Sequence, residues 1–96
     1  MIVHIVMFKF KEENRVQNIK IVEQKLKNLV QKIEVLKSME VGIDFNGSER
    51  AFDLSLYSTF RSKEDLKIYA THPEHLKVVA LIKELTQETK VVDYMT

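Results

Sequence analysis

Cysteine and tryptophan are absent from this 96-residue sequence, and glycine (two residues) and proline (one residue) are rare. The lack of cysteine excludes disulfide bonds, thiolate nucleophiles and cysteine-ligated zinc or iron–sulfur centres. No charge of one sign predominates either, because 15 lysine and arginine residues stand against 14 aspartate and glutamate residues, for a formal charge of +1. We therefore expect neither nucleic acid nor an acidic membrane surface as a partner.

Long apolar runs are also missing, so no segment is predicted to span a membrane. The first residues lack the basic start and the long apolar stretch of a signal peptide, and a cytoplasmic protein is the default expectation. Hydrophobic residues at 45% and charged residues at 30% are typical of a folded chain. Residues 1–96 suffice for a single domain with a thin core, which burial between subunits would help to stabilise.

The spacing of apolar residues predicts alternating strands and helices. The first segment, Ile2–Phe10, is apolar at odd and even positions, as in a central strand covered on both faces. An amphipathic helix of about five turns follows, with Asn14 as its N-cap, and Asn46-Gly47 is a turn between two strands. A second helical region begins at Ser62 and is broken before Pro73. The predicted strands are Ile2–Phe10, Ser38–Phe45, Phe52–Phe60 and Lys90–Tyr94, and the second helical region ends near Leu85.

This order of elements is the ferredoxin-like βαββαβ arrangement of the α+β class. Both helical regions then cover one face of the sheet. The opposite face, which we call the outer face, should carry mainly apolar side chains: Val3, Ile5, Met7, Tyr57, Val92 and Tyr94. Such a patch exceeds what monomers usually leave in water, so we expect a homodimer packed sheet against sheet as a dimeric α/β barrel. The alternative is a monomer whose patch is diluted by charged neighbours such as Lys9 and Glu40.

The first of three histidines lies in the predicted central strand. His4 shares a strand face with Val6 and Phe8 and is expected on the helix side. A carboxylate on that side would be costly unless it were paired, and Asp93 of the neighbouring last strand can pair with His4. The structural alternatives are a hydrogen-bonded core histidine and, for Asp93, a solvated carboxylate at a fraying strand end.

The other two histidines flank the helix break. His72 precedes Pro73 and can simply cap the helix that follows. Tyr69 and His75 can form a hydrogen bond that fixes the break, or they can polarise a carbonyl group and accept a proton, because imidazole titrates near neutrality. His72 and His75 are three residues apart with no evident third ligand, so no metal site is predicted.

A series of short blocks carries a family resemblance. In chain order the blocks are Val3–Phe10, Met39–Gly42, Phe52–Phe60, Tyr69–His75 and Val91–Tyr94. The most specific of them is the pattern Tyr-x-x-His-Pro-x-His of Tyr69–His75. Together the blocks resemble the stress-responsive dimeric α/β-barrel (Dabb) family from end to end.

The resemblance implies a ferredoxin-like protomer, a homodimer joined through its sheets, and a pocket between each sheet and its own helices. A plant polyketide cyclase of the family performs an aldol condensation without a cofactor, and its motif matches this chain at Tyr69 and His75. The match implies that His75 is the general base and that Tyr69 orients or polarises a substrate carbonyl. It implies ligand contacts, or positions bordering the ligand, for His4, His72 and Asp93.

The chain departs from the cyclase on its first helix, where aromatic pocket positions are occupied by Val22, Glu23 and Leu26. The pocket should be smaller or more aliphatic, so polyketide specificity is not carried over. The leading hypothesis is a cytoplasmic homodimer that binds a small, partly apolar, carbonyl-bearing molecule and performs cofactor-free cyclase or aldol-type acid–base chemistry. The alternatives are a non-catalytic, stress-associated binding or structural dimer and a cofactor-independent monooxygenase on the same barrel. Neither a metal nor a cofactor is expected.

Overall fold

A computed structural model describes all 96 residues, which form four strands and three helices. In chain order these are β1 (Ile2–Phe10), α1 (Arg15–Lys32), β2 (Ser38–Ile43), β3 (Leu54–Phe60), α2 (Lys63–Thr71), α3 (Pro73–Leu85) and β4 (Thr86–Met95). The strands form one sheet in the order β2–β3–β1–β4, and every neighbouring pair is antiparallel. The predicted ferredoxin-like βαββαβ fold is confirmed, with the second helical region divided into α2 and α3.

Strand β1 lies at the centre of the sheet, as its two apolar faces predict. It pairs with β3 on one side and β4 on the other, so that His4 lies opposite Ser58 and Asp93. Successive side chains of a strand point to opposite faces. His4 therefore shares the helix-covered face with Phe8, which belongs to the core, whereas Met7 is on the outer face.

The hydrophobic core fills the space between the sheet and the helices. Apolar residues of α1 recur at three- and four-residue spacing and pack onto the helix-covered face. Burying each Leu- or Phe-sized side chain contributes about 1.5–3 kcal/mol, so this layer fixes the helices over the sheet. The most deeply buried apolar side chains include Phe10, Val22, Leu26, Leu29, Ile33, Leu54 and Phe60.

The helices begin largely where the sequence predicts. The Ser62 hydroxyl caps α2 by accepting a hydrogen bond from the Asp65 N–H at 3.1 Å, and Pro73 occupies the first turn of α3. Asn14 precedes α1, but its backbone is left-handed (φ 52°) and its side chain makes no capping bond. Asn14 is thus the N-cap residue of α1, as predicted, although its left-handed backbone differs from the extended conformation in which an N-cap side chain usually bonds the helix.

The ends of three strands differ from the predicted ones. β2 ends at Ile43 and is followed by a turn in which the Asp44 carboxylate accepts a hydrogen bond from the Gly47 N–H at 2.7 Å and Gly47 has φ 64°. Phe45, predicted on the buried side of that strand, is 98% exposed. β3 begins at Leu54 rather than Phe52. β4 begins at Thr86, well before Lys90, because its pairing with β1 continues through an irregularity at its start.

The outer face carries the apolar side chains that the alternation predicts. Met7, Tyr57, Val92 and Tyr94 are 42%, 40%, 52% and 42% exposed, while Val3 is buried. No helix covers this face in the single chain, because the core that joins the helices to the sheet lies on the other side. None of the three helices has the length and apolar character needed to cross a bilayer.

Candidate functional site

A cleft of about 370 Å³ lies between α3 and the half of the sheet formed by β1 and β4. β4 follows α3 directly and runs back antiparallel to β1. The first turn of α3 therefore lies near the start of β1, and the last turn of α3 lies near the start of β4. Three side chains that can donate or accept a proton line what we call the inner end of the cleft: His4, Tyr69 and His75.

The helix break brings Tyr69 and His75 together. α2 ends just after Tyr69, and Pro73 starts α3 in a new direction, which places His75 in its first turn. The two rings lie 4.2 Å apart at their centroids and are inclined by 39°. The sequence block Tyr69–His75 therefore forms a local pair, but through ring packing rather than through the Tyr–His hydrogen bond that was one predicted alternative.

The Tyr69 hydroxyl is buried and has no hydrogen-bond partner in the protein. The residue is only 1% exposed and packs against Phe60 (5.1 Å between ring centroids) and His4 (6.3 Å). Burial raises the pKa of the phenol, so it remains protonated near neutral pH. An unpaired buried hydroxyl costs about 1–3 kcal/mol, and a ligand oxygen in the cleft would remove that cost by accepting a hydrogen bond from it.

The half-buried His75 ring is held in one tautomer. Its Nδ1 lies 3.1 Å from the Ala70 carbonyl oxygen, which can only accept, so Nδ1 carries the proton and Nε2 has the free lone pair. Desolvation lowers the pKa of His75, and the nearby His4 and His72 lower it further, against the opposing effect of the bond to Ala70. His75 is thus predominantly neutral at pH 7 and can accept a proton at Nε2.

The predicted contact between His4 and Asp93 is present. His4 Nδ1 bonds the Asp93 carboxylate across the β1–β4 pair. The His4 side chain is 16% exposed and that of Asp93 47%. A carboxylate bonded to Nδ1 orients an imidazole and leaves Nε2 available for a second contact. Asp93 itself is not among the residues that line the cleft.

His72 has a structural role rather than a place in the cleft. Its Nδ1 accepts a hydrogen bond from the Glu74 N–H at 3.1 Å and caps the N-terminus of α3. The ring is not among the groups that line the cleft. The expected ligand contact of His72 stays a prediction, and the ring nitrogen nearest the chain is already used by the cap.

The other end of the cleft was not predicted. Lys83, Gln87 and Thr89 line it and are exposed, and we call this the exposed end. These residues carry little signal in the sequence, because Lys83 is a common polar residue on a helix surface and the residues after Leu85 have no apolar alternation. Nowhere in the molecule do three or more His, Cys, Asp or Glu side chains come close enough together to hold a metal ion.

Comparison with protein families gives a match over almost the whole chain. Residues 2–96 match the model of the Stress Responsive A/B Barrel Domain (Dabb). The chain is 29% identical over 94 residues to Stress-response A/B barrel domain-containing protein At5g22580 of Arabidopsis thaliana, a match that covers 95% of this chain and 82% of that protein.

Solved structures share the fold. A dimeric protein of ferredoxin-like fold from Bacteroides fragilis superposes with a TM-score of 0.90 at 32% identity, covering 99% of this chain and 95% of that one. The hydroxynitrile lyase of Passiflora edulis superposes with a TM-score of 0.86 at 23% identity, covering 97% of this chain and 90% of the lyase. At that identity the likeness to the lyase shows a shared fold.

Proposed function

The chain belongs to the stress-responsive A/B barrel (Dabb) family, and from that premise we propose that its cleft binds a small carbonyl-bearing molecule. We further propose that Tyr69 and His75 act on this molecule by cofactor-free acid–base chemistry of the cyclase or aldol type. The observation that carries the proposal is the Tyr69 hydroxyl, which is buried beside His75 and lacks a protein acceptor. A carbonyl oxygen is the acceptor that such a hydroxyl can polarise.

Removal of a proton from the carbon next to a carbonyl requires a base and a hydrogen-bond donor to the carbonyl oxygen. His75 can supply the base and Tyr69 the donor. His75 Nε2 takes a proton from the carbon adjacent to the carbonyl, and the electron pair of the C–H bond forms an enolate. The Tyr69 hydroxyl donates a hydrogen bond to the enolate oxygen. The enolate carbon then attacks a second carbonyl carbon, and the new alkoxide recovers the proton from the His75 imidazolium, so that atoms and charge balance. His4, oriented by Asp93, is a second imidazole that can contact the ligand.

We also propose that the protein is a homodimer joined through the outer face of its sheet. The dimeric state of the Bacteroides fragilis protein, which is 32% identical over nearly the whole chain, supports this assembly. The exposed apolar side chains Met7, Tyr57, Val92 and Tyr94 supply a matching surface. The cleft lies on the opposite face, so dimerisation leaves it open to a ligand.

The chemistry can be tested without knowing the natural substrate. We expect the protein to accelerate exchange of the α-protons of simple ketones (2-heptanone, cyclohexanone and pentane-2,4-dione) with D₂O, followed by NMR. His75→Gln should retain the fold and reduce the exchange rate by about 10²–10⁴-fold, because it removes the base. Tyr69→Phe should weaken ketone binding yet leave the fold intact, because the deleted hydroxyl makes no hydrogen bond in the protein.

His72→Asn is the matched control, since it changes a histidine outside the cleft and keeps an acceptor at the cap of α3. It should exchange ketone protons at the parent rate. If ketones bind but their α-protons exchange no faster than in buffer without protein, the proposed catalysis is refuted. The alternative function, a non-catalytic binding dimer, is then supported. The absence of both binding and exchange for every ketone would refute the proposed site.

A further inference from the structure

The two ends of the cleft differ in chemistry. The inner end offers the neutral donor of Tyr69, and the exposed end offers the ammonium group of Lys83. Between them the lining is aliphatic and includes Val6, Val79 and Ile82. His75 and Lys83 are eight residues apart on α3, which corresponds to a distance of about 12 Å along the helix axis. The cleft is therefore elongated and amphipathic.

The Lys83 ammonium group is available to form an ion pair with a negatively charged group of a ligand. It takes part in none of the ion pairs of the molecule. On a helix, a lysine can pair with residues three or four positions away. For Lys83 none of these residues is acidic: they are Val79, Ala80, Thr86 and Gln87.

The acidic residue at the same end is already paired. The Glu88 carboxylate lies 3.1 Å from the Lys90 ammonium. The net charge that the exposed end presents to a ligand is therefore positive. The ordinary alternative for Lys83 is that it serves only the C-terminal end of α3, where a cation is favourable. The unpartnered Tyr69 hydroxyl at the inner end is the independent sign that a ligand occupies the cleft.

Building on the proposed function, we infer that the ligand is an elongated amphipathic acid. A carbonyl oxygen accepts from Tyr69, an aliphatic or aromatic middle packs along the valine and isoleucine lining, and a carboxylate pairs with Lys83. The shape of the cleft thus selects oxo acids whose two polar groups are separated by about the span between His75 and Lys83, roughly 12 Å along the helix. Lys83 is a specificity-determining residue in this arrangement and takes no part in proton transfer.

A matched set of ligands tests this inference. The extended chain of 9-oxodecanoate carries a ketone and a carboxylate at a separation that suits the cleft, its methyl ester has the same ketone without the charge, and 4-oxopentanoate is too short to span the cleft. We expect titrations followed by NMR to show that 9-oxodecanoate binds about three- to tenfold more tightly than its methyl ester, as one partly exposed ion pair allows. The preference should diminish in high salt, and 4-oxopentanoate should bind more weakly than 9-oxodecanoate.

Variants of Lys83 give the decisive comparison. Lys83→Gln should abolish the preference for the acid and leave the affinity for the methyl ester unchanged, while Lys83→Arg should retain the preference. Lys20→Gln is the control, because Lys20 is an exposed α1 lysine that does not line the cleft. It should behave as the parent.

The outcomes separate the inference from the proposed function. Equal affinity for acid and ester in the parent, or equal losses for both ligands in Lys83→Gln, would overturn the assignment of Lys83. If ketones still bind in that case and their binding depends on Tyr69, the proposed function stands, and only the inference of a carboxylate on the ligand fails. If none of the ligands binds, both fail.

Discussion

Two imidazole rings reach the cleft, and each is held through its Nδ1 by a different acceptor. His75 bonds a neutral carbonyl, that of Ala70, whereas His4 bonds the Asp93 carboxylate. Both arrangements leave Nε2 free, but only the carboxylate compensates a positive charge directly. We propose proton abstraction for His75 on a different ground, namely that its ring lies 4.2 Å from that of Tyr69, the residue proposed to bind the carbonyl, and that desolvation favours its neutral form. His4 then has a supporting role.

The environment of His75 leads to a prediction about stability and pH. Its pKa in the folded protein lies below the ordinary value of 6.5, so the unfolded chain binds more protons between these two pKa values. The free energy of unfolding should therefore fall as the pH decreases from about 6.5 through the lowered pKa. His75→Gln removes this titration and should show a shallower fall, as measured by urea unfolding at a series of pH values between about 5 and 8.

The difference between the two profiles isolates His75, because the two proteins are identical at every other residue. Glutamine is the suitable replacement, since its amide can donate to the Ala70 carbonyl as Nδ1 does. Parallel profiles, or a steeper acid loss in the variant, would contradict the lowered pKa.

At the scale of single residues, the sequence predicted which side chains meet but not how they bond. The contact of His4 with Asp93 followed from strand alternation and from the position of the last strand beside the first. The unpaired hydroxyl of Tyr69 could not be predicted, because it depends on the position of every neighbouring acceptor in the folded protein. The same holds for the tautomer of His75, which a single backbone carbonyl fixes.

The break between α2 and α3 is the element that builds the inner end of the cleft. A continuous helix would place Tyr69 and His75 six residues apart, on different sides of the helix, since six residues correspond to about 600° of rotation at 3.6 residues per turn. Pro73 and the cap at His72 end one helix and begin another, and the two rings come into contact. The geometry of the site therefore depends on a correctly capped α3.

Removal of that cap should cost stability. His72→Ala deletes the acceptor of the Glu74 N–H and should lower the free energy of unfolding by about 1 kcal/mol, in the range found for other N-cap residues. His72→Asn should restore most of the loss, because asparagine is among the preferred N-cap residues. Urea unfolding of the three proteins measures both effects.

The same variants examine the ligand contact first expected for His72. Affinity for ketones should be equal in the parent and in His72→Asn, since the ring does not line the cleft. If His72→Ala is as stable as the parent but binds ketones more weakly, His72 does not stabilise the protein as a helix cap. It would then contact the ligand, as first expected.

The limits of the strands were harder to predict than the helix break. A proline and a serine cap are local signals, readable from one or two residues. The start of β4 at Thr86 depends instead on pairing with β1, and Thr86–Thr89 has no apolar alternation to indicate a strand. β2 is followed by a turn in which the Asp44 side chain bonds the Gly47 N–H, and apolar alternation does not indicate such a bond.

At the scale of the whole molecule, the two faces of the sheet carry different features. The helix-covered face holds the cleft and its imidazoles, and the outer face holds the apolar side chains proposed to join two protomers. This division follows from the alternation of strand side chains, which is why the order of strands and the composition of the outer face were predictable from sequence. The exposed end of the cleft was not, because Lys83 resembles any other polar residue on a helix surface and Thr89 lies in a stretch without apolar alternation.

The proposed dimer leads to a prediction with a closely matched control. Val92 lies on the outer face at 52% exposure and Val30 lies on α1 at 42% exposure, so the same substitution to lysine can be made on either side of the molecule. Val92→Lys would place an ammonium group in the sheet-to-sheet interface, where an unpaired charge costs about 3 kcal/mol or more and should raise the dimer dissociation constant by at least about a hundredfold. Val30→Lys should leave the dimer intact.

Sedimentation velocity over a dilution series measures the dissociation constants, and ketone binding shows that each variant retains its cleft. A parent protein that sediments as a monomer at every concentration, or equal dissociation constants for the two variants, would exclude this interface.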